Sequence, residues 1–131
     1  MAQDPEFETR FYESVLRRHP RDVRVLRQLG HLYTAQGRIE EGLQTDRKLV
    51  RLQPKDPLAH YNLACSLSLK RQKPQALRSL RRAFELGYDD ADYLSEDPDL
   101  ACLHGMKGFE RLVAEMRMRS SYMPKNGYFL S

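Results

Sequence analysis

One short stretch, Leu26-Arg27-Gln28-Leu29-Gly30-His31-Leu32-Tyr33, returns in altered form 34 residues further on. The step carries Leu29 to Leu63, Gly30 to Ala64 and Tyr33 to Leu67. It also carries Leu43 to Leu77, Leu49 to Ala83, Val50 to Phe84, Leu52 to Leu86 and Pro20 to Pro54. Small residues land on small positions and apolar residues on apolar ones, so helix faces and loops repeat together. A unit of this length is a pair of antiparallel helices, which cannot bury its apolar face alone and must stack on another. Gly30 and Ala64 let the two helices of a pair approach closely, and Tyr33 and Leu67 fill the space between them. Pro20 and Pro54 end one helix and turn the chain toward the next unit.

The stretch has the form big-x-x-Leu-Gly-x-x-Tyr and resembles the opening of the first helix of a tetratricopeptide (TPR) repeat. The resemblance implies an all-α TPR α-solenoid, antiparallel helix pairs wound into a right-handed superhelix. Full repeats are expected over 23–56 and 57–88, preceded at 8–22 by the second helix of a partial repeat. That leading helix, from about Glu6 to His19, should turn Phe11 and Val15 inward, joined by Tyr12 and Leu16. A native capping helix is the alternative. Asp4-Pro5-Glu6-Phe7 is what two adjacent cloning sites commonly encode, so residues 1–7 are read as a scar.

In the first repeat, Asp22 should cap a helix running to Gln36, and Gly37 should end it. A second helix should span Ile39 to Leu52. Where the family has Ala-x-x-x-Phe, this chain has Gly42-x-x-x-Asp46. Asp46 is expected to weaken packing there or to face out, within reach of Arg47 or Lys48. In the second repeat, Asp56 should cap a helix with Pro57 in its first position, continuing to about Lys70. The next helix should run from Lys73 to Leu86 and end at Gly87, with Ala76, Leu80, Ala83 and Phe84 following the family pattern. His60 stands where a large aromatic is usual and reads as a packed, half-buried residue.

After Gly87 no third regular repeat begins. Tyr61-Asn62-Leu63-Ala64-Cys65, the Leu86-Gly87 junction, Asp97-Pro98-Asp99-Leu100 leading to Leu103, and the pair Phe109 and Leu112 follow in order. Together, over about 57–116, they resemble the TPR end-of-group subgroup. The resemblance implies that 89–118 caps the end of the stack, which terminal repeats must do. Asp89, Asp90, Asp92, Glu96, Asp97 and Asp99 would be a solvated rim. Residues 119–131 read as a flexible tail, or as one that docks Tyr122, Tyr128, Phe129 and Leu130 into an apolar groove of its own or of a neighbouring copy.

Charge sharpens the functional reading. Residues 1–87 hold 17 Lys/Arg against 10 Asp/Glu, whereas residues 88–131 hold 5 against 8, so a net +4 hides a basic body and an acidic end. The arginines are spread around the helices without interleaved aromatics, which argues against a nucleic-acid partner. No apolar run is long enough for a membrane and no leader pattern opens the chain, so a soluble, cytoplasmic protein is expected. Cys65 and Cys102 lack metal-ligand spacing and read as buried free thiols. His19, His31, His60 and His104 form no metal pair, and no phosphate loop or nucleophile motif is present. The expectation is therefore no enzyme, no metal and no cofactor.

What a solenoid does offer is a concave face lined by the first helix of each repeat. The resemblance puts Arg24, Arg27, His31 and Thr34 there from the first repeat. From the second it puts Leu58, Tyr61, Asn62, Cys65, Ser68 and Leu69. One wall would be basic, suiting an acidic or C-terminal peptide whose carboxylate arginine clamps. Chaperone-binding members of the family hold a C-terminal carboxylate with a Lys/Asn/Asn/Lys/Arg set. Here Arg27 and Asn62 match, His31 departs, and a third regular repeat is missing, which argues against that clamp. The function implied is a protein-interaction adaptor or scaffold. The alternatives are a module that self-associates, as a homodimer through its tail or exposed edge, and a regulatory domain of a larger enzyme.

Overall fold

The computed structural model describes residues 4–122. Among these residues, seven α-helices and one 3₁₀ segment follow in order: α1 (Pro5–Arg18), α2 (Val23–Ala35), α3 (Ile39–Leu52), α4 (Pro57–Leu69), α5 (Lys73–Glu85), α6 (Ala91–Glu96), a 3₁₀ turn (Pro98–Leu103) and α7 (Lys107–Tyr122). No strand occurs among the described residues. Each helix packs mainly on its sequence neighbour, α1 on α2, α2 on α3, α3 on α4 and α4 on α5. Side-chain caps explain where α2 and α4 start. Asp22 accepts hydrogen bonds from the backbone N–H of Arg24 and Val25, and Asp56 from that of Leu58. Each bond satisfies an amide that a helix start otherwise leaves open.

Three helix ends, those of α2, α4 and α5, share one device. At the close of α2, Gly37 N–H donates to Thr34 O and Arg38 N–H to Tyr33 O. The same pair of bonds recurs at Arg71 and Gln72 after α4, and at Gly87 and Tyr88 after α5. This closure needs a residue with positive φ. Gly37 (φ 76°) and Gly87 (φ 116°) supply it without cost, while Arg71 (φ 61°) supplies it with a side chain. An L-residue held there is strained by about 1–2 kcal/mol, partly offset because glycine has more freedom to lose. Arg71→Gly is expected to stabilise the chain by about 0.5–1 kcal/mol, read as a higher urea midpoint at unchanged slope.

Among the described residues, three apolar clusters hold the stack. Tyr12, Val15 and Leu16 of α1 pack on Val25, Leu29 and Tyr33 of α2. Leu26, Leu49 and Ala59 join α2, α3 and α4. The largest cluster runs from Leu43 through Tyr61, Ala64, Leu67, Ala76 and Leu80 to Leu94, Leu100, Leu103, Phe109, Leu112 and Met116. The segment after Gly87 thus closes on α4 and α5 with fully buried leucines.

Two expectations need correction. Phe11 is 56% exposed and points away from α2, as does Phe7 at 64%. The inward face of α1 is set instead by Tyr12, Val15 and Leu16, with Thr9 buried one turn before Tyr12. Asp46 neither faces out nor pairs with Arg47 or Lys48. It is 4% exposed and its Oδ2 accepts from Ser66 Oγ at 2.6 Å. Gly30 makes the room: a Cβ placed there would lie 2.6 Å from Asp46 Oδ1. The close helix approach at Gly30 accommodates a carboxyl.

Candidate functional site

Helices α2 and α4 and the segment following α5 enclose two adjoining cavities. One, of about 290 Å³, is lined by residues that include His31, Thr34, Tyr61, Asn62, Cys65, Tyr93, Asp97 and Asp99. The other, of about 330 Å³, includes Arg27, His31, Leu58, Tyr61, Asn62, Tyr88, Asp90 and Tyr93. His31, Tyr61, Asn62 and Tyr93 border both, so the two form one trough. Helix α4 supplies its floor through Tyr61, Asn62 and Cys65, which share one face of the helix. On the other side of α4, a depression of about 400 Å³ gathers Arg47, Arg78 and Arg82 around Leu63 and Leu67. Much of the chain's positive charge therefore lies away from the trough.

Seven of the ten residues named from the sequence border the trough: Arg27, His31, Thr34, Leu58, Tyr61, Asn62 and Cys65. Arg24, Ser68 and Leu69 do not. Arg24 is exposed outside it, and Leu69 lies at the last residue of α4. Ser68 is buried because the 3₁₀ turn covers it, with its Oγ 3.1 Å from Cys102 Sγ. Arg27 is half committed, its Nη1 buried without a hydrogen-bond partner among the described residues. Its Nη2 donates to Asp56 Oδ2 at 2.7 Å, tying α2 to the cap of α4. The thiols Cys65, buried, and Cys102, half-buried, are both free.

Sequence reasoning missed the opposite wall. Tyr88 stacks on Tyr61 with ring centroids 4.6 Å apart, and Tyr93 leans on the same ring at 6.1 Å. Asp97 is buried, not a solvated rim. Its Oδ2 accepts from the Tyr61 hydroxyl at 2.5 Å and from the Cys65 thiol at 3.7 Å, while its Oδ1 accepts from Asp99 N–H at 2.9 Å. The Asp-Pro-Asp motif was a visible signal, but its partners lie 36 and 32 residues back.

Among the described residues, the trough gathers three carboxyls, Asp90, Asp97 and Asp99, against Arg27 and His31. Burial and then the neighbouring Asp97 raise the carboxyl of Asp99 above its ordinary range. The charge of Asp97 is the main cause of the upward shift of the Tyr93 hydroxyl. Burial, followed by the bond to Asp97, pushes up the Tyr61 hydroxyl, and burial with Asp97 does the same to the Cys65 thiol. Cys65, Asp97 and Asp99 each bring one possible ligand atom within 4.8 Å of the others. That is a carboxylate pair beside a thiol held in its neutral form, and a thiol must ionise to bind a metal well.

No family model matches the chain. A curated chloroplastic protein of Arabidopsis thaliana is 30% identical over 89 residues, which are 66% of this chain. The chain spans only 27% of the length of that curated relative. A crystal structure of MamA superposes with a TM-score of 0.69 at 26% identity, over 92% of this chain and 68% of that one. A second MamA crystal structure gives 0.68 at 25% identity, over 87% and 61%. MamA is a TPR-type helical-repeat protein. The fold is a TPR-like helical solenoid. Within that solenoid the trough lies between α2, α4 and the segment after α5. Among the described residues no helix is long and apolar enough to cross a membrane.

Proposed function

We propose that the chain is a non-catalytic protein-interaction module that holds an extended segment of a partner in the trough between α2, α4 and the segment after α5. The likeness to MamA supports the coarser part of this reading, a helical-repeat scaffold with protein partners. The observation that carries the finer part is the trough itself, about 290 and 330 Å³ in two joined sections. Its floor residue Asn62 is half-buried, and its side-chain amide makes no hydrogen bond to another described residue. An uncommitted amide there can donate to and accept from the backbone of an extended peptide. The Cys65 thiol beside Asp97 is pushed toward its neutral form by burial and by that carboxylate, which makes it a poor nucleophile and favours binding over catalysis.

A second reading, self-association, rests on α1. Phe7, Phe11 and Tyr12 line a shallow apolar cavity of about 580 Å³ with Asp4 and Glu8. The tail residues Tyr128, Phe129 and Leu130, named for the same role, lie outside the described residues.

Selection of a random-sequence peptide library against the chain tests the first reading. Selected peptides should shift the backbone amide resonances of His31, Asn62 and Tyr93. Asn62→Ala should weaken them by about tenfold, the loss of one or two hydrogen bonds. Shifts confined to α1, with a molar mass that rises with concentration, would favour self-association and sink the trough.

A further inference from the structure

We infer that the trough takes a basic segment, and that the head group of an arginine or lysine enters between Tyr61, Tyr93, Asp97 and Asp99. This deepens the reading above and rests on it, replacing the acidic peptide expected from the sequence.

Three independent observations converge on a cation. The first is charge. Asp90, Asp97 and Asp99 all border the trough. Against them stand His31, which faces Asp99, and Arg27, whose Nη2 is paired with Asp56 at 2.7 Å while its Nη1 has no hydrogen-bond partner among the described residues, so carboxyls outnumber the basic groups there. The hydrogen bonds made by Asp97 come from a hydroxyl, a thiol and an amide, none of which carries positive charge. A partner bringing a cation would complete the balance, whereas one bringing a carboxylate would meet like charge in a half-enclosed space. The second is the aromatic wall. Tyr61 and Tyr93 stand 6.1 Å apart and tilted by 50°, and Tyr88 backs the first ring. A ring face beside carboxylates attracts an ammonium or guanidinium group through both the quadrupole and the charge. The third is space. The acidic section is about 290 Å³, with His31, Thr34 and Asn62 also in its lining, enough for a long side chain. These features come from different elements, α2, α4 and the segment from Tyr88 to Asp99, so the pocket exists only in the folded stack.

The probe is a blocked peptide with one central arginine flanked by glycines, compared with its lysine, citrulline and glutamate counterparts. Binding is followed by amide chemical shifts and is expected with a Kd on the order of 1 mM for so small a ligand. The arginine or lysine peptide should shift Asn62, Tyr93 and Asp99, and the ranking of the two identifies which cation fits. Citrulline keeps the shape without the charge and should bind at least about fivefold more weakly, as should glutamate. Asp99→Asn should weaken the cationic peptide by about tenfold and flatten its dependence on salt. Tyr93 is largely exposed, so Tyr93→Ala keeps the fold and should cost about threefold.

Equal binding of arginine and citrulline peptides overturns the inference. So does an unaltered affinity in Asp99→Asn, or the absence of arginine-dependent shifts at about ten times that expected Kd. Calcium or zinc chloride shifting the same amides where the arginine peptide does not would make the cluster a metal site and also overturn it. The library separates the two levels: peptides that need Asn62 but show no enrichment in arginine or lysine leave the trough standing and remove the cation.

Discussion

Leu100→Ala is expected to destabilise the chain by about 2–5 kcal/mol, the range for a leucine removed from a site that cannot collapse. Leu100 is fully buried at the middle of the 3₁₀ turn, in the cluster that joins α4, α5 and α7. It lies one residue from Asp99 and three from Asp97, so loosening it also loosens the acidic wall of the trough. Thermal unfolding should show the loss of stability. Any ligand of the trough should weaken further than the Asn62 contact explains, measured well below the midpoint where the chain is still folded. A variant within about 0.5 kcal/mol of the parent would mean that the 3₁₀ turn is a loose cover, not part of the core.

The second large effect concerns pH. Burial pushes the Asp46 carboxyl up to about 6 from 3.8, against the opposing pull of the Ser66 bond. Below about pH 4 the group is protonated in folded and unfolded chains alike, and ionisation contributes nothing to the balance between them. Between about pH 4 and 6 the unfolded chain gives up this proton while the folded one keeps it. Stability therefore falls as pH rises, and above about pH 6 the loss is complete at about 3 kcal/mol. Asp46→Asn keeps an acceptor for Ser66 and cannot ionise. Urea unfolding at about pH 4.5 and about pH 7.5 should show the asparagine variant gaining on the parent by most of that amount at the higher pH. Other carboxyls titrate in both proteins and cancel in the difference. A difference independent of pH would mean that the Asp46 charge is solvated or paired in the folded state.

Asp46 also shows where sequence reasoning stopped. The 34-residue step maps it onto Leu80, a core position, so the period alone pointed inward. A carboxyl argued outward. The inward outcome depends on space at Gly30 and a donor at Ser66, on two other helices, and neither shows in a periodic pattern. Helix starts and stops were legible because each is a local matter. Asp22 and Asp56 open helices by bonds within three residues, Pro57 fits the first helical position because it has no N–H to leave open, and Gly37 and Gly87 close helices by a conformation that glycine favours. Tyr61, Asn62 and Cys65, named from the resemblance to a TPR repeat, line the trough together because they share one face of α4. The acidic wall of the trough was not legible. The contact of Asp97 with Tyr61 forms only when the chain doubles back on α4, and a run of aspartates in sequence reads as solvent-facing until that fold is known.

The neighbour-on-neighbour packing of the helices has a kinetic consequence. The long contacts join residues within about one repeat of each other, as Tyr33 does with Glu13, Ser66 with Asp46 and Arg81 with Glu115. Closing loops of that size costs little entropy and each closure is much like the last, so chains of this type fold quickly. The heaviest cluster lies at α4, α5 and the segment behind them, and α1 is held by a smaller one. Assembly should therefore begin in the second half and spread backwards, with α1 joining last and leaving first.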